Sequence, residues 1–441
     1  MPVGPTILEC SWRKICITGW VAGSAMRLPH AGSARPTGAA LVYNLDTDIH
    51  YNRAMQLQLP EPSFDALIAS RALHTLIAND IRHKSGWISF ARYMELALYA
   101  PEVGYYSGGA AKLGKDGDFT TAPEITPLFG QAVAQVAAKL LAQSAPQIME
   151  FGAGSGKLAQ DILSELSAQG VPVHRYTIVE VSAELRARQR QTLRGFPQVQ
   201  WIDTLPAAFS GLVVANEVLD AMPVHLVVKT DTGWKERGIG LSNKHFVYRD
   251  RPVDPTILAQ IADADLLPVG YLTEVHPTAI GFMHSVADML RGGHRETGFG
   301  GAAMLIDYGF PNHEYYLPQR AQGTLMCHYR HHAHDDPFYL PGLQDITAHV
   351  DFSAIAQAAI DRGLEMLGYM NQARFLIDAG IGDLLLRTPL EDKLRYLPRA
   401  NAVQKLTSTA EMGELFKVLV VGTEVSLPAG FGEGIRARHT G

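Results

Sequence analysis

Apolar residues in the first part of the chain recur with the spacing of amphipathic helices. This spacing predicts a helix over 64–81 and another over 89–98, which ends before Pro101 because proline cannot continue a helix. Residues 127–141 carry apolar side chains at intervals of four, three and four, at Phe129, Val133, Val136 and Leu140. We therefore expect the sheet to be preceded by a helical N-terminal cap.

Short apolar strands alternate with helices over the next part of the chain. The pattern predicts strands at 147–151, 175–182, 199–203 and 211–219, with helices at 157–166 and 183–193 between them. Alternation of this kind favours an α/β fold with a parallel, doubly wound sheet.

The alternation of strands and helices is interrupted at residues 224–249. Two segments there alternate apolar and polar residues and are separated by glycines, which indicates an inserted antiparallel β-hairpin. A helix at 278–290 and a buried strand at 301–309 follow. Residues 364–370 and 415–422 are candidates for the last two strands, and the sequence between them is helical.

Composition narrows the class of protein. The 441 residues are 47% hydrophobic and 19% charged, which is a normal globular balance. The net charge of −6 does not favour a nucleic-acid partner, and no apolar run is long enough to predict membrane insertion. Three cysteines give neither a disulfide framework nor a metal-binding spacing, so we expect a reducing compartment. A homo-oligomer is possible.

Residues 1–54 differ from the rest because basic residues outnumber acidic ones and no helical period persists. We interpret them as a poorly structured extension or a non-native start, with Met55 as the natural first residue. A mitochondrial transit peptide is the alternative, since such peptides are also rich in arginine and poor in acids. The location is accordingly cytoplasmic in the first case and the mitochondrial matrix in the second.

The segment Glu150–Gly156 places three glycines between a strand and a helix, with the pattern E-x-G-x-G-x-G. A turn of this kind lets a polar ligand approach backbone N–H groups at a helix start. The dinucleotide fingerprint fails because its third glycine position is Lys157, and a P-loop fails at Phe151 and Leu158. A cofactor turn, with Glu150, Gly152, Gly154 and Gly156 as its residues, competes with a tight packing turn that binds nothing.

Acidic and amide side chains follow the predicted strands, at the edge where doubly wound sheets bind ligands. Glu180 lies 24 residues after Gly156, where an acid can accept both ribose hydroxyls of a cofactor. Asp203 ends the third strand and is a candidate for the adenine amine. Asn216, Glu217 and Asp220 follow the fourth strand, and on a helix Glu217 and Asp220 would share a face. Each of these acids has an alternative as a helix cap or a surface residue.

Several ordered motifs together resemble the MidA family, which includes the mitochondrial complex I assembly methyltransferase. They are GDFTTAPEI (117–125), EFGAGSGKLAQDIL (150–163), YTIVEVSAELRARQ (176–189), NEVLDAMPV (216–224), LIDYG (305–309), GTL (323–325) and DITAHVDFS (345–353). The resemblance implies an S-adenosyl-L-methionine (SAM)-dependent methyltransferase with a Rossmann-like sheet, and the mitochondrial relative methylates arginine in a protein. It also implies that Asp118, Phe119, Thr121 and Glu124 help to close the cofactor site.

This resemblance sets the expected organisation of the chain. We expect an extension at 1–54, a helical cap and cofactor-closing loop at 55–142, the methyltransferase domain with its insertions at 143–422, and a tail at 423–441.

A guanidinium acceptor calls for carboxylates that orient it and stabilise its charge. Glu217 is the first candidate for this catalytic role, followed by Asp220, Glu124 and Asp307. Tyr105 and Tyr106 are candidates for substrate contact, although aromatic residues beside glycines are more often packing residues.

Histidines and acids cluster in CHYRHHAHDD (327–336), which suggests a metal site. The spacing matches no zinc finger or H-E-x-x-H helix, so we expect a polar loop on the substrate side and no metal.

Three functions remain open. The first is a methyltransferase for a protein side chain such as arginine. The second is a methyltransferase for a small molecule, and the third is a non-catalytic chaperone that binds SAM and a partner protein.

Overall fold

The computed structural model describes residues 59–108, 121–429 and 431. The expectations for residues 1–54 and for Asp118 and Phe119 therefore lie outside the described residues.

The helices occupy the predicted amphipathic segments and the connections between strands. They are α1 (Phe64–His83), α2 (Phe90–Tyr99), α3 (Ala122–Ile125), α4 (Pro127–Leu141), α5 (Lys157–Ala168), α6 (Ala183–Thr192), α7 (Pro255–Leu258), α8 (Pro277–Thr297), α9 (Asn312–Tyr315), α10 (Phe352–Asp361), α11 (Gln372–Asp378), α12 (Ile381–Leu386), α13 (Lys393–Thr407) and α14 (Met412–Leu415).

The strands belong to three sheets. They are β1 (Ile88–Ser89), β2 (Gln147–Phe151), β3 (Arg175–Val179), β4 (Val199–Ile202), β5 (Leu212–Asn216), β6 (His225–Thr230), β7 (Gly233–Ser242), β8 (His245–Pro252), β9 (Leu272–Val275), β10 (Gly301–Phe310), β11 (Met326–Tyr329), β12 (His332–His334), β13 (Asp345–Thr347), β14 (Val350–Asp351), β15 (Glu365–Asn371) and β16 (Phe416–Thr423).

The largest sheet has the order β15-β16-β10-β5-β2-β3-β4, and the short β14 adjoins β10. The pairs from β10 through β5, β2 and β3 to β4 are all parallel, whereas β16 runs antiparallel to both of its neighbours. This arrangement confirms the prediction of a doubly wound α/β sheet. The strand order reverses between β2 and β5, and open sheets of this kind bind their ligands at that point.

Helices cover both faces of this sheet, because its central strands are apolar on both sides. On one face, α4 and α5 pack around Leu140 and Ile162. On the other face, α8 and α10 pack around Phe282 and Phe352. Helix α4 thus shares its core with the sheet, although the sequence grouped it with the N-terminal cap.

The second sheet is antiparallel, with the order β1-β7-β6-β9 and β8 on the outer side of β7. The prediction of a two-stranded hairpin at 224–249 was wrong in its detail, because the chain there forms three successive strands. A turn at 231–232 ends β6, and a second turn at Asn243 and Lys244, with φ of 47° and 69°, separates β7 from β8. Helices α1 and α2 pack on this sheet.

The histidine-rich tract forms part of a third sheet and not the loop that we predicted. Strands β11 and β12 pair as a hairpin in which Cys327 lies opposite His334, and Arg330 and His331 make the turn with positive φ. Among the described residues, no three metal-binding side chains cluster closely enough to hold an ion. The described helices include none with the length and apolar character needed to cross a membrane.

Candidate active site

A deep cleft lies at the carboxyl ends of β2 and β5, at the reversal of strand order. Its empty space is about 1290 Å3 including the mouth, which is ample for a nucleoside-sized ligand. The cleft is lined by the glycine turn and by the ends of β2, β3 and β5. Of the predicted site residues, those that line it are Thr121, Glu124, Glu150, Gly152, Gly154, Glu180, Asn216 and Glu217.

The glycine turn depends on backbone conformations that other residues rarely adopt. Gly152, Gly154 and Gly156 have φ of 60°, 53° and 84°. A Cβ atom at Gly156 would meet Leu193 Cδ1 at 3.3 Å. Gly156 therefore serves the packing of α5 against α6 and does not line the cleft, whereas Gly152 and Gly154 do.

Glu150 is a buried carboxyl at the floor of the cleft. Its Oε2 accepts a hydrogen bond of 2.7 Å from the Tyr176 hydroxyl. Burial raises the pKa of Glu150 to about 7, and the neighbouring Glu180 carboxylate adds to the rise. Glu150 is therefore only partly ionised near neutral pH.

Glu180 lies at the end of β3 and is 5% exposed. The Ser182 backbone N–H donates to its Oε1 at 2.8 Å, and Gln189 Nε2 donates to its Oε2 at 2.9 Å. Burial raises the pKa of Glu180, and these donors oppose that effect. The carboxyl group is thus held in one orientation at the wall of the cleft.

Asp203 is placed differently from the expectation. Its side chain is half exposed, does not line the cleft, and forms an ion pair of 2.5 Å with Arg186 Nη2. The adenine role of Asp203 stays a prediction.

Residues 217–220 after β5, which we call the acid loop, do not form a helix. Asp307 Oδ2 accepts hydrogen bonds from three successive backbone N–H groups, those of Val218, Leu219 and Asp220, at 3.1, 2.8 and 3.3 Å. Glu217 has a φ of 54°, which is unusual for a residue with a side chain. The expectation that Glu217 and Asp220 share a helix face was therefore wrong, because Asp307 holds the chain in a turn.

Glu217 projects into the cleft beside Asn216. Asn216 Nδ2 donates to Glu217 Oε1 at 3.1 Å, and the Ala122 backbone N–H also donates to this carboxyl group. Burial, with Asp220 nearby, raises the pKa of Glu217 to about 8. Asn216 Oδ1 is buried and accepts no hydrogen bond from any residue that the structure describes, so the site offers an acceptor for a ligand's donor.

Asp220 and Asp307 lie behind Glu217 and do not line the cleft. Asp220 Oδ2 accepts a 2.5 Å hydrogen bond from the Tyr308 hydroxyl, while its Oδ1 has no hydrogen-bond partner within the described part of the chain. Burial raises the pKa of Asp220 to about 6. Asp307 also accepts from the Tyr308 N–H at 2.9 Å, so both of its oxygens serve the backbone. Both acids support the acid loop from behind.

Two aromatic rings and the segment before α4 form the opposite wall. Tyr99 and Tyr106 stack at 5.5 Å between ring centroids. Their hydroxyls are tied to the Ala221 carbonyl and to Asp345 Oδ2, each at 2.9 Å. Tyr105 is buried and packs edge-on against Tyr106, so of the two predicted tyrosines only Tyr106 lines the cleft.

The hydroxyl of Ser155, in the glycine turn, donates to Glu124 Oε1 and so connects this wall to the turn.

Sequence patterns did not identify Tyr99, Gln189 or Tyr308 as site residues. Gln189 and Tyr308 stand inside the quoted motifs 176–189 and 305–309, and that position is the one signal that marks them.

The doubly wound sheet with one reversed strand, the glycine turn and the buried acid after the next strand together define a Rossmann-like cofactor-binding enzyme. The family model for SAM-dependent methyltransferases called Methyltransf_28 matches residues 128–370. The chain belongs to this family of methyltransferases, and its cofactor is SAM.

Curated relatives resemble the chain over most of its length. The Caenorhabditis elegans protein arginine methyltransferase NDUFAF7 homolog, mitochondrial, is 29% identical over 75% of this chain and 81% of its own. The Danio rerio protein arginine methyltransferase NDUFAF7, mitochondrial, is 28% identical over 76% of this chain and 84% of its own.

A solved structure is more similar. A COG1565 superfamily member from Burkholderia thailandensis, bound to S-adenosyl-homocysteine (SAH), is 52% identical, with a TM-score of 0.79. The match covers 84% of this chain and 97% of that one. It supports the assignment of SAM as the cofactor.

Proposed function

We propose that this methyltransferase acts on an arginine side chain of a protein. The observation that carries the proposal is the excess of acidic over basic side chains that line the cleft, with Glu217 of the acid loop among them. Among the described residues that line the cleft, four are glutamates and Lys157 is the one cation, and Lys157 Nζ is held by Asp161 at 2.5 and 2.6 Å. A site rich in hydrogen-bond acceptors suits a cationic donor such as guanidinium and disfavours a carboxylate or phosphate acceptor.

The residues of the cleft fit SAM at the glycine-turn end. Gly152 and Gly154 expose backbone where the methionine part can lie, and Thr121 lines the cleft on the closing side. Glu180 retains a lone pair for a ribose hydroxyl, because a carboxylate has about four lone-pair sites and its protein donors are Ser182, Gln189 and Val181. Glu150 forms the floor beneath this turn.

SAM supplies a methyl group that the positive sulfur already activates, so the protein mainly has to place the acceptor and exclude water. Glu217 accepts hydrogen bonds from the planar guanidinium, and Asn216 Oδ1 offers a second acceptor beside it. Methylated guanidinium stays singly charged, so one proton must leave as the new bond forms. Glu217 is placed to accept that proton, because a guanidinium cation bound beside it favours the ionised form of this carboxyl and so lowers its pKa from about 8.

Asp220, Asp307 and Glu124 have supporting roles in this proposal. Asp307 keeps Glu217 in its left-handed backbone conformation through the acid loop. Asp220 and Tyr308 fill the space behind it, and Glu124 ties the closing segment to Ser155.

The relatives named protein arginine methyltransferases favour the same acceptor and imply a protein substrate. Those relatives are also named mitochondrial, which favours the matrix over the cytoplasm. The location of this chain and its part in complex I assembly stay predictions.

The test supplies the purified protein with isotopically methyl-labelled SAM and with protein extracted from cells that lack the enzyme. Acid hydrolysis of the labelled protein should yield methylarginine, and the Glu217→Gln variant should yield on the order of a hundredfold less. Label recovered as methyllysine, or released by mild base as from a methyl ester, would contradict the proposed acceptor.

A further inference from the structure

Helix α6 lies beside the cleft, and its residues are mainly polar and mostly exposed or partly exposed. Its one buried residue is Gln189, which is 0% exposed. A fully buried amide is costly unless all its hydrogen-bonding atoms are satisfied. Gln189 therefore has a structural task that its neighbours on α6 do not share.

The Gln189 side chain is hydrogen-bonded at every position. Nε2 donates to Glu180 Oε2 at 2.9 Å and to the Gly154 carbonyl at 3.0 Å. Oε1 accepts from Trp201 Nε1 at 2.9 Å. Both amide hydrogens are thus used by two residues that line the cleft from different strands.

All three neighbours of the Gln189 amide require the same orientation. The indole N–H of Trp201 can only donate, so it faces the amide oxygen. The Glu180 carboxylate and the Gly154 carbonyl only accept, so they face the NH2 group. The two acceptors would therefore keep the NH2 group in place without Trp201.

We propose that Gln189 is a positioning residue for ribose recognition. It holds the Glu180 carboxyl in the orientation that accepts the cofactor's hydroxyls and ties it to the glycine turn at Gly154. The inference rests on the proposed role of Glu180 as the ribose acid. A residue that only filled space would affect every ligand of the cleft equally, whereas this role concerns the ribose hydroxyls.

The experiment compares the binding of SAH and of its 2′-deoxy analogue by calorimetry. The quantity of interest is the ratio of the two dissociation constants, which measures how much the 2′-hydroxyl contributes. For the unmodified protein we expect a ratio of about ten or more, because hydrogen bonds to charged groups are strong.

Gln189→Met keeps the length of the side chain and removes both donors. We expect SAH to bind about tenfold more weakly to this variant and the ratio to fall towards one. Gln189→Glu keeps the size and the acceptor for Trp201, and should give the same direction of change if the Met variant folds poorly. Trp201→Phe leaves both donors to Glu180 and Gly154 in place, so its ratio should stay within about twofold of the original.

Glu180→Gln tests the ribose role of Glu180 separately from the positioning role of Gln189. It should lower the ratio by itself, and adding Gln189→Met to it should cause little further loss. Equal weakening of both ligands in Gln189→Met, with the ratio unchanged, would overturn the positioning role while leaving the ribose role of Glu180 intact. A ratio near one in the unmodified protein, or one that Glu180→Gln leaves unchanged, would overturn both.

Discussion

The two ends of the cleft differ in how fully their polar groups are hydrogen-bonded. At the glycine-turn end, both oxygens of Glu180 accept hydrogen bonds and Gln189 is saturated. At the acid-loop end, Asn216 Oδ1 and Asp220 Oδ1 accept no hydrogen bond from the described residues, and Glu217 has a positive φ. Protein hydrogen bonds therefore orient the acceptors of the first end, whereas the second end has buried acceptors without such a bond.

This difference matches the tasks that we propose for the two ends. A preorganised site binds its ligand without paying to reorder side chains. Unsatisfied buried acceptors and a strained backbone persist only where the surrounding structure enforces them, and such features are concentrated at functional sites. The conformation of the acid loop is held by hydrogen bonds to Asp307, which lies some 90 residues further along the chain.

The largest expected effect is at Glu217. Glu217→Gln keeps the shape but removes the carboxyl group that accepts the proton, so turnover should fall about 10²- to 10³-fold. Because Glu217 belongs to the acceptor end, the dissociation constant for SAH should change by about twofold or less. Steady-state kinetics and calorimetry on the same preparation would check both.

Glu184→Gln is the matched control, since Glu184 is an exposed acid of α6 with only a 3.8 Å ion pair to Arg188. Its turnover should equal that of the unmodified protein. A loss of SAH affinity in Glu217→Gln as large as the loss of turnover would contradict the claim that Glu217 serves the acceptor and not the cofactor.

Asp307 should matter for stability as well as for activity. Asp307→Ala leaves three backbone N–H groups of the acid loop, two of them buried, without their acceptor, and should lower the free energy of unfolding by on the order of 3 kcal/mol. Asp307→Asn retains one side-chain oxygen and should lose less. Urea unfolding of the two variants would test this, and equal stabilities would show that Asp307 does not hold the loop.

Glu180 should act on binding and not on turnover. Glu180→Gln should weaken SAM about tenfold, while turnover at saturating SAM stays within about threefold. Measurement of KM and kcat separates the two quantities. A fall in kcat with KM unchanged would contradict the assignment of Glu180 to cofactor binding, because it would show that Glu180 acts on turnover.

The smallest expected effect is a pH dependence at Glu150. Its folded pKa of about 7 is raised above the unfolded value, so the unfolded chain releases this proton first as pH rises. Glu150 therefore destabilises the fold progressively between about pH 4.5 and pH 7, and no further above that range.

Relative to Glu150→Gln, which does not titrate, the unmodified protein should lose about 2 kcal/mol across that window. Thermal unfolding of both apo proteins at pH 5 and pH 8 would measure the difference. A constant gap between the two proteins would mean that the pKa of Glu150 is not raised.

Local patterns were sufficient to predict the sheet and the cofactor end. Strand β2, the glycines and Glu180 all lie within 34 consecutive residues, 147–180, and their spacing reflects one strand–turn–helix–strand unit. The floor residue Glu150 and the helix α5 could be predicted for the same reason.

The acceptor end depends on contacts between distant segments, which spacing does not encode. The acidic and polar residues after β5 suggested a capped helix, but the carboxylate of Asp307 converts them into a turn. The tie between Tyr106 and Asp345 joins residues 239 positions apart. The three-stranded insertion was read as a hairpin because residues 225–234 alternate across the turn at 231–232, and because Gly238 and Gly240, which lie inside β7, were taken as the break between two strands.

The most direct test of the central claim uses adenosine analogues that carry an alkyl guanidine, an alkyl amine or an alkyl carboxylate at the 5′ position. Such compounds reach both ends of the cleft at once. The guanidine analogue should bind at least about tenfold more tightly than the other two, and Glu217→Gln should remove that preference without weakening SAH. Equal affinity for all three analogues, or a preference for guanidine that survives in Glu217→Gln, would contradict the assignment of Glu217 to a guanidinium acceptor.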